Sequence, residues 1–360
     1  MFWSKDQIIE RLSKIPRTLE DISIEIFEGL PSANDFLHRV TLSKDYFTDC
    51  LYACRNLQKN VILEQDLMYP YIDGALPNEF AMHSTQQWFM LPYEIQGSGI
   101  RKEYRLFEPE ELRRGFPFAY SRFNEMKHKF GTQREDLDSP ECYRLEREYF
   151  LHYMNTPKII VTNHYSLQAS YDPVGNYVFA DGIGIVLGDP SLSHYITTVL
   201  NSSVARVFPE IWNREKMCKD NKLYAKMIKR FPIAFPEDER IESLLTTICR
   251  YQIYLNRQKN AANIHSLEGY CRLIDFFKRI SDLLILDTYL TNDLDPKLLE
   301  ILMENITSPE EEFEYNDDMG LLIALQKIKE NVLDSPDFRR CKFSNEFTNI
   351  LATIKNDCFW

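Results

Sequence analysis

The sequence of 360 residues predicts a mixed fold, with strands before residue 236 and helices after it. Between Thr156 and Ser203, short β-branched and apolar runs alternate with turns rich in glycine, proline and aspartate, which is the pattern of short strands. Beyond residue 236, three long runs carry apolar residues at helical spacing. The length allows two domains, which we expect at residues 1–236 and 237–360.

The stretch from Thr156 to Ser203 organises the chain. Its predicted strands are Lys158–Thr162, Tyr177–Ala180 and Ile183–Leu187, with a turn at Asp172–Asn176. Ser191 or Ser193 is placed to cap a helix that runs to Leu200. Because these strands mix polar and aromatic residues with apolar ones, they suit an exposed sheet face or loop.

Upstream of this stretch, a helix from Ile8 is interrupted by Pro16, and Thr18 to Asp21 has the outline of a capping box. The other predicted elements are a strand at Ile22–Phe27, a turn at Gly29–Asp35, extended chain at Val61–Tyr71, a strand at Gln87–Tyr93 and one helix at Glu108–Lys129. Downstream, helices are predicted at Glu239–Leu255, Leu267–Leu286 and Met319–Leu333. The run Ile274–Leu290 is too apolar for an exposed helix, so it lies in the core or faces a partner.

The net charge of −12 argues against indiscriminate binding to nucleic acid. Residues 237–360 hold 14 Lys and Arg against 23 Asp and Glu, a net −9. By contrast, Arg101–Arg134 has nine basic and five acidic residues, and Arg206–Arg230 has eight and three. Two basic stretches in an acidic chain fit a directed DNA-binding face, or else ordinary solvated helix faces.

Several classes of protein lack support in this sequence. No run approaches the roughly 20 apolar residues of a membrane span, and the N-terminus lacks a signal-peptide pattern. The eight cysteines show no disulfide or zinc spacing, which favours a reduced, cytoplasmic location. Neither these cysteines nor the seven histidines form a metal-binding pattern, so no metal is expected. Glu125 and Lys127 have the spacing of a nuclease motif, but a nuclease needs them on a strand beside a metal-binding aspartate. Here they fall inside the predicted helix at Glu108–Lys129, which argues against a nuclease.

Signatures of catalysis are also missing. The chain contains no Asn-Pro dipeptide, which the Asn-Pro-Pro-Tyr/Phe loop of an adenine methyltransferase requires. The glycines of Phe179–Gly184 superficially match a cofactor-binding turn, but an apolar run follows them, whereas such a motif should open a helix. There is no P-loop, no H-E-x-x-H and no G-x-S-x-G.

Several motifs follow one another in order along the chain. The central motifs are Pro157–Ile160, a polar loop, the D-x-x-G turn at Asp172 and the sequence YITTVLNSS ending at Ser203. The motifs before and after are the turn Gly29–Asp35; Glu64, Leu67, Pro70 and Ile72; QWFMLPY ending at Tyr93; a helix with Phe116, Tyr120, Phe123 and Lys127; and Phe231–Pro236. This ordered series resembles the specificity domain of TaqI-like and Type IIG adenine DNA methyltransferases, and of Type I systems, over roughly residues 15–295.

The resemblance implies an α+β fold: a twisted, mostly antiparallel sheet with helices, followed by a helical C-terminal domain. It also implies a sequence-reading module of a prokaryotic restriction–modification defence system that binds double-stranded DNA. Catalysis and S-adenosylmethionine are then expected on another polypeptide, or on an N-terminal region of a longer protein. The alternative is a protein-interaction scaffold or DNA mimic without DNA readout, which the acidic charge favours.

The resemblance assigns base reading to polar side chains in two segments. These candidates are Thr162, Asn163, His164, Tyr165, Ser166 and Gln168, together with Ser32 and Asn34 of the turn Gly29–Asp35. An Asn or Gln can pair with adenine through two hydrogen bonds, although a structural role fits Asn163 equally well. The phosphate-binding candidates are Arg101, Lys102, Arg113, Arg114, Lys158, Arg206, Arg214 and Lys222.

Overall fold

The computed structural model describes residues 5–31, 37–48, 51–56, 59–72, 79–82, 87–130, 139–162, 167–208, 222–261, 264–307, 318–336 and 338. Within these residues the strands are β1 (Ser23–Glu28), β2 (Arg39–Thr48), β3 (Leu51–Asn56), β4 (Lys59–Glu64), β5 (Met68–Ile72), β6 (Phe80–Ala81), β7 (Gln87–Met90), β8 (Tyr93–Gln96), β9 (Glu103–Leu106), β10 (Lys158–Thr162), β11 (Ala169–Asp172), β12 (Val178–Phe179) and β13 (Gly182–Leu187). The α-helices are α1 (Lys5–Ser13), α2 (Leu19–Ile22), α3 (Pro109–Gly115), α4 (Pro117–Phe130), α5 (Ser193–Leu200), α6 (Ala225–Lys229), α7 (Glu239–Ala261), α8 (Ile264–Leu286), α9 (Pro296–Asn305) and α10 (Asp318–Asp334).

The predicted α+β fold is confirmed, with strands mostly antiparallel. One sheet, which we call the central sheet, has the order β1-β13-β10-β11-β6. A second sheet has the order β12-β5-β7-β2-β3-β4, and β8 pairs with β9. Only the pairs β11–β6 and β12–β5 are parallel among the strand pairs of the described residues.

The two sheets and the helices form stacked layers with a hydrophobic cluster between each pair. One face of the central sheet, including Ile159 and Ile185, packs against α5, α7 and α8. The other face, including Ile160, packs on the second sheet. The far side of the second sheet is covered by α3 and α4. Four α5 side chains are fully buried, namely Tyr195, Ile196, Val199 and Leu200, and burying each contributes about 1.5–3 kcal/mol.

The central strands are more buried than their sequences indicated. Every residue of β10 and β13 is buried, because helices cover one face of the central sheet and the second sheet covers the other. Gly184 sits where the two sheets meet, and a Cβ there would lie 2.6 Å from the Phe27 ring. The expectation of an exposed sheet face at this stretch was therefore wrong.

The predicted helix Glu108–Lys129 is instead two helices, α3 and α4, separated at Phe116, the residue before Pro117. The residue before a proline is disfavoured in helical conformation, which explains the break. The carboxylate of Glu64 then accepts hydrogen bonds from the backbone of Phe118 and Ala119, at 2.8 and 3.0 Å. The Glu64 motif residue thus acts as a helix cap supplied by a distant strand.

Other local expectations had mixed outcomes. The capping box at Thr18 and Asp21 is confirmed, and so are the three C-terminal helices. The cap before α5 is neither Ser191 nor Ser193, because Asp189 accepts from the backbone of Ser191 and supports the preceding 3-10 turn. Helix α9, capped by Asp295, was missed.

The helices after residue 236 share one hydrophobic cluster with the central sheet. The chain leading to them also pairs with its beginning, since Leu19 donates its backbone N–H to Phe231 and Ile233 donates to Arg17. Helix α8 is buried from Leu283 to Leu286, so the dense apolar run lies in this core. The domain division at residue 236 stays a prediction, and the core continues across it.

Candidate nucleic-acid interface

Two segments that the sequence assigned to DNA begin at the same end of the central sheet. Gly29 donates its backbone N–H to Gly182 on one side of β13, and Thr162 is paired with Gly182 on the other side. Gly29 and Thr162 are therefore separated by two strand spacings, about 10 Å. We call this end of the central sheet, where β10 ends and β13 begins, the loop end. Both Ser32 and Asn34 follow Gly29 and lie outside the described residues.

Two more chain segments reach the loop end, one from β5 of the second sheet and one beside β6, the edge strand of the central sheet. Ile72, at the end of β5, accepts a hydrogen bond from the backbone N–H of Ala180. Glu79 immediately precedes β6, whose Phe80 is paired with Ser170 near the start of β11. Four separate parts of the chain thus converge there, although they are far apart in sequence.

Thr162 and Gln168 close the stem of the polar loop between β10 and β11. The Thr162 backbone N–H donates to the Gln168 carbonyl at 3.0 Å, and the Gln168 N–H donates to the Thr162 hydroxyl at 3.2 Å. Thr162 is 5% exposed, so its hydroxyl serves the stem, whereas the Gln168 side chain is half-buried. The predicted base readers Asn163, His164, Tyr165 and Ser166 lie outside the described residues.

Asn201, from the YITTVLNSS motif, holds the returning side of this stem. Its side-chain oxygen accepts from the Ala169 N–H at 2.9 Å, and its amide nitrogen donates to the Ala169 carbonyl at 2.8 Å. The same nitrogen also donates to the carbonyl of Thr197 within α5 at 3.0 Å. Asn201 therefore links the loop stem to a buried helix, and the motif has a structural explanation.

Ser203, two residues later, ties the same region to α8. Asp282 accepts hydrogen bonds from both the backbone N–H and the hydroxyl of Ser203, each at 2.7 Å. Burial raises the pKa of the Asp282 carboxyl, while the bonds from Ser203 oppose that rise. The helical layer thus fixes the position of the loop stem through buried hydrogen bonds.

Arg206 lies at the loop end, as does a lysine that the sequence analysis did not select. Arg206 and Lys278 both form ion pairs with Glu79, and the Arg206–Glu79 distance is 3.2 Å. The Arg206 side chain is 38% exposed, and the side chains of Lys278 and Glu79 are 20% and 19% exposed. Among the predicted phosphate binders in the part of the chain that the structure describes, Arg206 is the one that lies beside the stem of the polar loop.

Lys158 lies at the opposite end of β10, about 13 Å from Thr162 at the usual strand rise. Its side chain is 1% exposed and forms an ion pair with Asp172 at 3.2 Å. It also donates to the carbonyl of Gly175. A side chain so enclosed does not reach a DNA phosphate, so its predicted role does not fit this structure.

Arg101 and Lys102 also lie at that opposite end. The Lys102 backbone N–H donates to the backbone carbonyl of His152 at 2.7 Å. Just before β10, the Thr156 hydroxyl donates to the Ile100 carbonyl at 2.8 Å. Arg101 is exposed, whereas Lys102 is 8% exposed. Neither side chain adjoins the loop that begins at Thr162.

The remaining phosphate candidates are dispersed. Arg113 and Arg114 are exposed on α3, where both pair with Glu110, at 2.8 and 3.9 Å. Lys222 is exposed before α6, and Arg214 lies outside the described residues. The structure therefore does not bring the seven predicted phosphate binders that it describes together on one surface.

The residues that sequence reasoning missed are Glu79, Asn201 and Lys278. The NSS sequence was visible, but nothing local indicated that Asn201 would bind the backbone of Ala169. Glu79 and Lys278 are 199 residues apart, so only the packing of the helical layer against the central sheet brings them together.

Metal sites and membrane-spanning helices are both absent from the described part of the chain. No set of three or more His, Cys, Asp or Glu side chains there is arranged to hold a metal ion. Nor does any helix in those ranges have the length and apolar character needed to cross a bilayer.

Comparisons with known proteins place the chain in no family. No family model matches it, and no curated protein matches it. Among solved structures, it is similar to the Type IIL restriction–modification enzyme MmeI in complex with DNA, with 11% identity and a TM-score of 0.39. The match covers 88% of this chain and 37% of that enzyme, so the chain spans well under half of its length. A TM-score of 0.39 establishes neither a shared fold nor a shared function.

Proposed function

We propose that this chain is the DNA-sequence-recognition module of an adenine DNA methyltransferase or restriction–modification system. The observation that carries the proposal is the convergence of the stems at Gly29 and Thr162 on one end of the central sheet. Both segments resemble DNA-reading loops of that family. Strands buried along their whole length, β10 and β13, support the two stems, which suits the positioning of polar loop side chains against base edges.

We expect loop side chains to determine sequence preference. Replacing Asn163 or Gln168 with alanine should reduce the preference for one base pair by roughly 1–3 kcal/mol, because each removes a hydrogen bond to a base edge. Affinity for unrelated sequences should change little, since phosphate contacts supply it. The measurement is selection from a randomised duplex pool by the full chain, with its catalytic partner present.

Gln96→Ala provides a matched control for Gln168→Ala. Gln96 is an exposed glutamine at the end of β8, on the strand pair that leads to Arg101 at the opposite end of the central sheet. Its replacement should leave sequence preference unchanged. Wild-type preference in both loop variants, with their folding intact, would refute the assignment of readout to the loop after Thr162.

We further propose that the chain transfers no methyl group by itself. The missing Asn-Pro-Pro loop and cofactor turn support this proposal. Incubation of the purified chain with labelled S-adenosylmethionine and mixed-sequence duplex should give no labelled DNA, whereas addition of a methyltransferase partner should. Label transfer that scales with the concentration of the chain alone and survives repurification would contradict the proposal.

A second candidate function is a DNA mimic or interaction scaffold, which the net charge of −12 supports. The two functions differ in how they respond to DNA. A recognition module binds duplex DNA with a preference for one sequence, whereas a mimic competes with DNA for the DNA-binding site of a partner. The pool selection separates them, because a mimic enriches no sequence.

A further inference from the structure

At the loop end, one carboxylate is shared by two cationic side chains. Glu79 pairs with Arg206 from the 3-10 turn after α5 and with Lys278 from α8. Glu79 adjoins β6, and β6 pairs with β11 just beyond the stem residue Ala169. The two cations therefore flank the side of the stem that returns from the polar loop.

Glu79, Arg206 and Lys278 together carry one net positive charge. The nearby Asp282 is 6% exposed, both of its carboxylate oxygens bind Ser203, and it also interacts electrostatically with both cations. The Arg206 guanidinium is the most accessible of the three groups, with 38% of its side chain exposed. A guanidinium and an ammonium already held together by an oxyanion are preorganised for another oxyanion of similar geometry.

We infer that Arg206 and Lys278 bind the DNA backbone beside the polar loop, and that Glu79 occupies the position of a phosphate in the free protein. This inference rests on the proposed function and adds to it a partner group and a residue, Lys278, from the helices beyond residue 236. DNA must displace Glu79 to reach the two cations. Glu79 therefore weakens binding to all duplexes and leaves the ranking of sequences unchanged.

The test measures affinity of the full chain for a random-sequence duplex across a salt series. Arg206→Ala and Lys278→Ala should each weaken binding to all sequences and lower the slope of log affinity against log salt by about one. Glu79→Gln should tighten binding to all sequences by about 3- to 10-fold, since a neutral amide competes less well for the cations.

Helix α8 offers matched controls for both kinds of change. Arg272 and Glu268 form an exposed ion pair one turn apart on this helix, with side chains 67% and 75% exposed. Arg272→Ala and Glu268→Gln make the same chemical changes as the test variants, apart from the arginine-for-lysine difference, and should alter neither affinity nor slope. Thermal unfolding of each variant shows whether a change in binding reflects loss of structure.

Two outcomes would overturn the inference. If Glu79→Gln lowers the unfolding temperature and does not tighten DNA binding, the three side chains only stabilise the contact between α8 and the residue before β6. If the two cation variants keep the wild-type salt slope, they do not contact phosphate. In either case a loss of base preference in Gln168→Ala would leave the proposed function standing, whereas a wild-type chain that enriches no sequence would refute the proposed function itself.

Discussion

Lys158→Met is expected to lower the free energy of unfolding by about 3–5 kcal/mol, because it leaves the buried Asp172 carboxylate without its charged partner. The two side chains are each 1% exposed and lie 3.2 Å apart. Burial lowers the pKa of Lys158, and the neighbouring Asp172 opposes that shift. Chemical denaturation at neutral pH measures the loss.

A double variant shows whether the cost comes from the unpaired charge. Asp172 also accepts hydrogen bonds from the backbone of Gly175 and Tyr177, at 2.8 and 3.1 Å, and an asparagine keeps one of these acceptors. Adding Asp172→Asn to Lys158→Met should therefore recover roughly 2 kcal/mol. If Lys158→Met instead keeps wild-type stability and lowers the salt slope of DNA binding by about one, Lys158 contacts phosphate and the ion pair with Asp172 does not stabilise the fold.

The pKa shift of Lys158 also has a consequence for pH dependence. Because folding lowers this pKa, the folded state binds the Lys158 proton less readily than the unfolded state does. Stability therefore rises with pH between the folded pKa and the unfolded pKa of about 10.4, because the cost of burying the protonated amine disappears over that window. At neutral pH the ion pair with Asp172 offsets part of this cost. Lys158→Met should lack this component when unfolding is compared with wild type across alkaline pH.

Gly175→Ala is expected to destabilise the protein by about 2–4 kcal/mol, as the sum of backbone strain and overpacking. Gly175 has φ of +78°, a conformation that side chains with a Cβ rarely adopt. A Cβ there would also lie 2.0 Å from the carbonyl oxygen of Thr156. The turn would have to shift, which disturbs the Asp172 hydrogen bonds and the buried lysine. Denaturant unfolding measures the effect.

Two other glycines separate these causes. Gly97 has φ of +103° with nothing within 4 Å of a Cβ, so Gly97→Ala should show backbone strain alone, about 1–2 kcal/mol. Gly269 lies within α8 with open space around it, so Gly269→Ala should stabilise by roughly 0.5–1 kcal/mol. Equal effects at Gly175 and Gly97 would show that the contact with Thr156 costs nothing.

Local pattern predicted the kinds of element well but their environment less well. The β-branched runs at Lys158–Thr162 and Ile183–Leu187 are strands, and the amphipathic runs after residue 236 are helices. These features depend on spacing that each segment carries by itself. Burial on both faces of β10 and β13 depends instead on which layers cover the sheet. Polar residues such as Thr162 made these strands look exposed in the sequence.

Several residues of the segments that resemble family motifs have architectural roles. Glu64 caps α4, Asp172 pairs with Lys158, and Asn201 binds the backbone of Ala169. A charged or amide side chain looks the same in sequence whether it faces DNA or satisfies a buried partner. The distinction requires the position of that partner, which is 32 residues away for Asn201 and 54 residues away for Glu64.

The sequence by itself determined that this protein is α+β, where about half of its strands and most of its helices lie, and which segments resemble a DNA-recognition module. Only the tertiary structure decided that the stems at Gly29 and Thr162 share one end of the central sheet, that Lys158 is enclosed at the other, and that Lys278 joins Arg206 at Glu79. The physical reason is the separation along the chain over which each interaction acts. Hydrophobic periodicity and turn chemistry act over a few residues, whereas burial and ion pairing depend on strand order and helix packing between distant parts of the chain.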